Sequence, residues 1–112
     1  MPVIDKTTFD ELKQMSGDDF INELIDTFLE DAPKMIAEIK SGYASNNVEV
    51  FRRAAHSMKS NAATFGASQL AALAKELEML GKENKLQETG DRLKSLEEAY
   101  DSVRSELTRL KS

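Results

Sequence analysis

The stretch Val48-Glu49-Val50-Phe51-Arg52-Arg53-Ala54-Ala55-His56-Ser57-Met58-Lys59-Ser60-Asn61-Ala62-Ala63-Thr64-Phe65-Gly66 reads as one amphipathic helix closed by a glycine. Val48, Phe51, Ala55, Met58, Ala62 and Phe65 recur at alternating steps of three and four, which lays one continuous apolar stripe along a helix over 48–65. Gly66 supplies the stop, and Ser68 is a plausible cap for the next helix.

The same rhythm extends in both directions. Downstream, Leu70, Leu73, Leu77 and Leu80 predict a helix over 69–80, ended by Gly81 and Asn84. Leu86, Leu93, Leu96, Tyr100, Val103, Leu107 and Leu110 then predict a last helix. Upstream, Ile21, Leu24, Ile25, Phe28, Met35, Ile36, Ile39 and Tyr43 follow helical spacing, for a helix over 19–41. Pro33 falls inside it, and its ring conflicts with the carbonyl of Leu29, so a kink or a break into two helices is expected there. Gly42 and Ser45-Asn46-Asn47 read as the next turn. Before these comes a short helix, with Thr8 and Glu11 at capping-box spacing and Phe9, Leu12 and Met15 on one face. Ser16-Gly17-Asp18 ends it.

These elements define an all-α chain, an up-down four-helix bundle with a short extra N-terminal helix. A coiled-coil assembly competes with that reading, but the helices are short and interrupted by strong turn signals. At 112 residues the chain is expected to form one domain over 1–112. Hydrophobic residues make up 40% and charged residues 31%, which is a globular composition. With no cysteine, neither a thiol nucleophile nor a Cys-based zinc site is possible, and a cytoplasmic setting is expected. The formal charge of −5 argues against nucleic acid or an anionic membrane surface as the main partner. No apolar run approaches a membrane span, and no signal peptide is expected from Met1-Pro2-Val3-Ile4-Asp5.

The chemistry sits on the third helix. His56, the one histidine, lies roughly 130° from the centre of the apolar stripe at 100° per residue, so it faces away from the core. Taken alone, such a residue is as readily an idle surface histidine as a functional one. Its helical neighbours at i−4, i+3, i+4 and i+7 are Arg52, Lys59, Ser60 and Ala63. Two are cations able to hold a phosphoryl group as a fork or a point charge. Two are small and leave room for a second protein. Between Val50 and Lys75 there is no Asp or Glu, although acids are 20 of the 112 residues. That gap is either chance in an alanine-rich hairpin or an arranged tolerance for negative charge.

Imidazole suits the task. A reference pKa of about 6.5 leaves a useful neutral fraction at cellular pH. One ring nitrogen is then a nucleophile, and the other can be oriented by a hydrogen bond. If the third and fourth helices fold back about Ala67, His56 and Glu78 are equally far from the turn and lie level on adjacent helices. Lys59 lies level with Lys75 by the same reasoning. Glu78 can thus face the imidazole N–H, or can equally be a solvated acid in Lys75-Glu76-Leu77-Glu78.

Arg53-Ala54-Ala55-His56 followed by Ser57-Met58-Lys59-Ser60-Asn61-Ala62-Ala63-Thr64-Phe65-Gly66 resembles the signature of the histidine-containing phosphotransfer (HPt) domain. The family motif has a histidine, a lysine three residues on, a small residue beside it and a glycine ten residues after the histidine. His56, Lys59, Ser60 and Gly66 take those places. Phe28-Leu29-Glu30-Asp31-Ala32-Pro33 and Leu77-Glu78 with Gly81 also look like the family, so the resemblance covers essentially the whole chain. Ser60 departs from it, since glycine is common there. That substitution is expected to alter the partner's approach only modestly.

The resemblance implies a phosphorelay intermediate of a two-component system. His56 would accept a phosphoryl group from a receiver-domain aspartyl phosphate, or from a kinase such as a hybrid histidine kinase, and pass it to another response-regulator receiver. Lys59 would stabilise the phosphate oxygens. Arg52, Ser60, Ala63 and Glu78 would orient the ring or meet the partner, and Gly66 would be structural. The docking face would surround His56 with help from the first two helices. The receiver would supply magnesium, so no cofactor of the chain's own is expected. Scattered glycines form no nucleotide loop, and ATP-dependent kinase activity is not expected.

A monomer is expected. An end at Ser112, after a complete last helix, favours a free-standing protein. The alternatives are the phosphoacceptor module of a chemotaxis-type kinase, and a non-catalytic helical adaptor, against which intact His56 and Lys59 speak. A metal-binding bundle lacks its Glu-x-x-His pairs, so no metal site is expected.

Overall fold

The computed structural model describes residues 3–111. Its helices are α1 (Lys6–Ser16), α2 (Asp18–Ala44), α3 (Val48–Thr64), α4 (Ser68–Lys82) and α5 (Arg92–Leu110), with a single 3₁₀ turn at Leu86–Glu88. No strand occurs among the described residues. α2 to α5 form the four-helix bundle. α3 packs most extensively on α4 and α2, and α1 lies across α2 and α3. At 1.5 Å per residue α2 is about 40 Å long, which matches the 42 Å long axis of the molecule.

The turns follow from how orphaned helix-end carbonyls are satisfied. After α3, the amide of Ala67 bonds the Ala62 carbonyl at 2.9 Å and the amide of Gly66 bonds that of Ala63 at 3.0 Å. Gly66 takes φ +81 to do so, which is the Schellman arrangement. Asn46 (φ 54) and Asn84 (φ 57) close α2 and α4 in the same way. Asn47 then caps α3, its side chain accepting from the Val50 amide at 3.2 Å. Gly66 has a second task. Its carbonyl accepts the Asp5 amide at 2.8 Å, and a Cβ there would stand 2.9 Å from the Asp5 carbonyl oxygen. The N-terminal segment therefore docks on the α3–α4 turn.

Several expectations need correction. The cap of α1 is Asp5, not Thr8. The Thr8 amide donates to the Asp5 carboxylate at 3.1 Å, and so does its hydroxyl, which lowers the Asp5 pKa through those two bonds. α2 is not broken at Pro33 and runs unbroken to Ala44. Pro33 lies on the exposed side, where solvent can serve the Leu29 carbonyl that lost its N–H partner. Gly42 is not in a turn but inside α2, buried where a Cβ would meet the Phe51 backbone nitrogen at 2.8 Å. The last helix begins at Arg92 rather than near Leu86, which is buried in the 3₁₀ turn. Met15 and Tyr43 share the helical spacing but are exposed.

The rest of the apolar pattern is buried core or, as at Leu24, Met35, Val48, Leu73 and Leu93, half-buried against it. Phe51, Ala55, Met58 and Ala62 of α3 are fully covered and share one core with Leu70, Ala74 and Leu77 of α4, Ile25 and Ile39 of α2, and Leu96 and Leu107 of α5. Phe28 stacks at a tilt on Phe65, with centroids 5.3 Å apart, and meets Tyr100 edge-on at 6.1 Å. One further close approach bears on the site. A Cβ on Gly81 would lie 3.0 Å from Arg52 Cβ and 3.2 Å from its Cα. The absent side chain lets α4 press against α3 one turn before His56.

Candidate functional site

His56 stands in mid-α3 on the face opposite Ala55 and Met58, with its side chain 57% exposed. Across the α3–α4 contact, Glu78 is the one acidic residue buried in the core-facing surface of α4, its side chain only 3% exposed. The two meet. His56 Nδ1 and Glu78 Oε2 are 2.7 Å apart. The other carboxylate oxygen, Oε1, accepts from Lys59 Nζ at 2.6 Å. Lys82 Nζ, one turn further along α4, stands 4.0 Å from Oε2.

The electrostatics of this cluster determine the tautomer. Burial works to raise the Glu78 pKa, but the hydrogen bonds from Lys59 and then His56 outweigh it and leave the carboxyl below its ordinary 4.5. Glu78 is therefore a carboxylate at neutral pH and can only accept. The proton of the 2.7 Å contact must then sit on His56 Nδ1. In the neutral ring this leaves the lone pair on Nε2, which makes no hydrogen bond among the described residues. A carboxylate that fixes one ring nitrogen and frees the other is the arrangement a nucleophilic imidazole needs.

The predicted residues separate into those the fold gathers and those it turns away. His56, Lys59 and Glu78 form one hydrogen-bonded unit. Ser60 and Ala63 are exposed and small, so nothing bulky stands on the α3 surface beyond the ring. Gly66 is structural, holding the α3–α4 turn and the N-terminal segment.

Arg52 does not join the cluster. Its guanidinium bonds Glu49 Oε1 at 2.7 Å, pointing one turn back toward the start of α3, and Arg53 bonds the same oxygen at 3.1 Å. These bonds, Arg52 first, hold the Glu49 carboxyl below its usual value. The acid responsible lies just outside the acid-free window. Lys75, level with Lys59 by position, is exposed, and Glu78 rather than Lys75 is the α4 residue that Lys59 meets.

Lys82 is the site residue the sequence reading missed. The i,i+4 spacing from Glu78 on α4 was its available signal. Among the described residues no group of three or more His, Asp or Glu side chains converges as a metal site. Among the same residues, no helix is long and apolar enough to cross a membrane.

Comparison with known proteins places this geometry in a family. The phosphorelay protein LuxU of Vibrio harveyi is 31% identical over 88 residues, covering 79% of this chain and 77% of that protein. The crystal structure of histidine-containing phosphotransfer protein B (HptB) from Pseudomonas aeruginosa PAO1 superposes with a TM-score of 0.92. That alignment covers 98% of this chain and 95% of that one, and at 24% identity it speaks for the fold. The Hpt domain family matches residues 23–106, and the chain belongs to it.

Proposed function

We propose that His56 is the phosphoacceptor through which this phosphorelay intermediate works, with Nε2 as the attacking atom. The observation that carries the reading is the 2.7 Å bond from Nδ1 to a buried carboxylate beneath an otherwise exposed ring. In the reaction the Nε2 lone pair attacks phosphorus in line. The bond from phosphorus to the oxygen of a receiver's aspartyl phosphate breaks, and its electron pair returns to that aspartate as carboxylate. The ring keeps its Nδ1 proton and becomes a phosphoryl-imidazolium, whose positive charge faces Glu78. No proton has to leave during the step. Passing the group to a second receiver reverses the same events.

Positioning and charge neutralisation carry such a transfer, and the chain's residues divide the work. Glu78 sets the ring's tautomer and orientation. Lys59 keeps Glu78 ionised and presents its remaining N–H donors toward the phosphoryl oxygens. Magnesium and the acceptor aspartate belong to the receiver, and the phosphoryl group comes from a partner rather than from ATP. Beside His56, Met35 of α2 and Val50, Ala54 and Ser57 of α3 line a shallow groove with Glu38 and Arg53 at its rim. Its mixed lining, apolar at Met35, Val50 and Ala54 and polar elsewhere, suits an amphipathic helix of a receiver domain. The protein acts in the cytoplasm as a monomer, which fits a carrier that must meet successive partners.

Incubation with a phosphorylated receiver domain tests the proposal. The expected label is acid-labile and base-stable, and it maps to His56 by mass spectrometry. Label on a serine or threonine, or none, overturns it.

A further inference from the structure

Two ammonium groups approach the buried carboxylate of Glu78, and they hold it unequally. Lys59 Nζ donates to Oε1 at 2.6 Å and is 30% exposed. Lys82 Nζ stands 4.0 Å from Oε2, beyond hydrogen-bond distance, and is 52% exposed. Oε2 is also the oxygen that accepts the hydrogen bond from His56 Nδ1–H. Lys82 therefore sits on the histidine side of the carboxylate, while Lys59 is tied to the other side. With the ring neutral, two cations face one anion and the cluster carries a surplus positive charge. Arg52 and Arg53, the other cations of α3, are already paired with Glu49.

We propose that Lys82 is a phosphoryl-binding residue: once His56 is phosphorylated, its ammonium leaves Glu78 and holds the phosphoryl oxygens while Lys59 stays on Oε1. This rests on the reading of His56 as the phosphoacceptor. The choice between the two lysines follows from the state each would leave behind. Drawing Lys59 away strips a buried carboxylate of a charge-assisted bond, which is costly. Drawing away an exposed ammonium at 4.0 Å changes little. Lysine's flexible four-carbon stem provides the reach. A phosphoryl group brings a charge of about −1.5 to −2, which the surplus cation offsets. A lysine in the last turn of α4 also suits the helix dipole, but that role is indifferent to phosphorylation and so can be told apart.

The test uses phosphoramidate as donor, so that no receiver is needed, and follows the ³¹P resonance of phosphorylated His56 against pH. A nearby cation favours the dianionic phosphoryl group and lowers its second ionisation. In Lys82→Met that ionisation is expected to rise by roughly half a unit or more, since an opposite charge within about 4–6 Å can shift a group by roughly one to three units before solvent screening. Lys82→Arg restores most of the wild-type value. Lys6→Met removes the same charge at α1, whose start docks near Gly66, ~15 Å along α3 from His56, and leaves the titration unmoved. A Lys82→Met titration no different from that of Lys6→Met overturns the proposal while leaving His56 as acceptor. A wild-type chain that takes no label on His56 overturns both.

Discussion

Glu78 Oε2 lies 2.7 Å from His56 Nδ1, although 22 positions separate the two residues along the chain. Two helices, one glycine-closed turn and a glycine contact at Gly81 bring them together. The carboxylate is almost wholly buried and the ring mostly exposed. One partner is thus enclosed by the core and the other is open to solvent.

Replacing Glu78 with glutamine keeps the shape and removes the charge. The amide can accept from Nδ1 through its oxygen or donate through its nitrogen, so the Nδ1-protonated tautomer is no longer enforced. Phosphoryl transfer from a receiver is expected to slow by ~10-fold or more, the scale of loss when the partner that orients a metal-ligating imidazole is removed. Rapid-quench labelling checks this, and a wild-type rate would show that the ring needs no orienter.

The Glu78 pKa also makes a statement about stability. It is depressed in the folded chain. Its contribution is therefore complete above the ordinary carboxyl value of 4.5 and is lost as pH falls through the lower folded value. Urea titrations are expected to show wild type more stable than Glu78→Gln at neutral pH, with the difference closing in acid. A gap that widens on acidification would contradict the sign.

Lys59→Met should damage more than the transfer step. It leaves a buried carboxylate with one strong partner fewer, so the Glu78 pKa rises and stability at neutral pH falls. A cost of about 1–3 kcal/mol is expected, below the roughly 3–5 kcal/mol of a fully buried broken pair because the lysine is partly solvated. Chemical denaturation measures it. A variant as stable as wild type would mean that water replaces the ammonium without loss.

His56→Gln is expected to abolish phosphoryl acceptance with the helical circular dichroism intact. The ring is exposed and its loss opens no core cavity. A collapsed spectrum would assign the residue to the fold instead.

Gly66→Ala tests the turn. Its φ of +81 is one that side chains disfavour, and the new methyl would meet the Asp5 carbonyl oxygen at 2.9 Å and Thr8 Cβ at 3.0 Å. Destabilisation of about 2 kcal/mol or more is expected from backbone strain plus the displaced N-terminal segment. Thermal melts report it. An unchanged melting temperature would mean that neither constraint is real.

Much of this was legible from residue order. The stripe is core from Phe51 to Phe65, with Val48 half-buried at its start, and the stop at Gly66 is where α3 ends. Periodicity over a long helix is a strong signal because burial selects the same face at every turn. Errors fell where tertiary context overrode a local cue. Gly42 looked like a turn but is a contact residue against Phe51, and Pro33, read as a kink or a break, does not break α2 because it sits on a solvent-facing side that tolerates it. Leu86 has the right apolar character but serves a 3₁₀ turn.

The site divides along the same line. Residue order determined that an imidazole stands off the core face with Lys59, Ser60 and Ala63 on its own helix, because neighbours three, four and seven positions away share a patch whatever else the chain does. Only the packing of α4 on α3 decided that Glu78 is a buried partner rather than a solvated acid. It also set Lys82 near the same oxygen, while side-chain pairing on α3 turned Arg52 toward Glu49. The stretch that lacks acids along the chain receives one in space, since a carboxylate's protonation and reach depend on the surfaces that close around it.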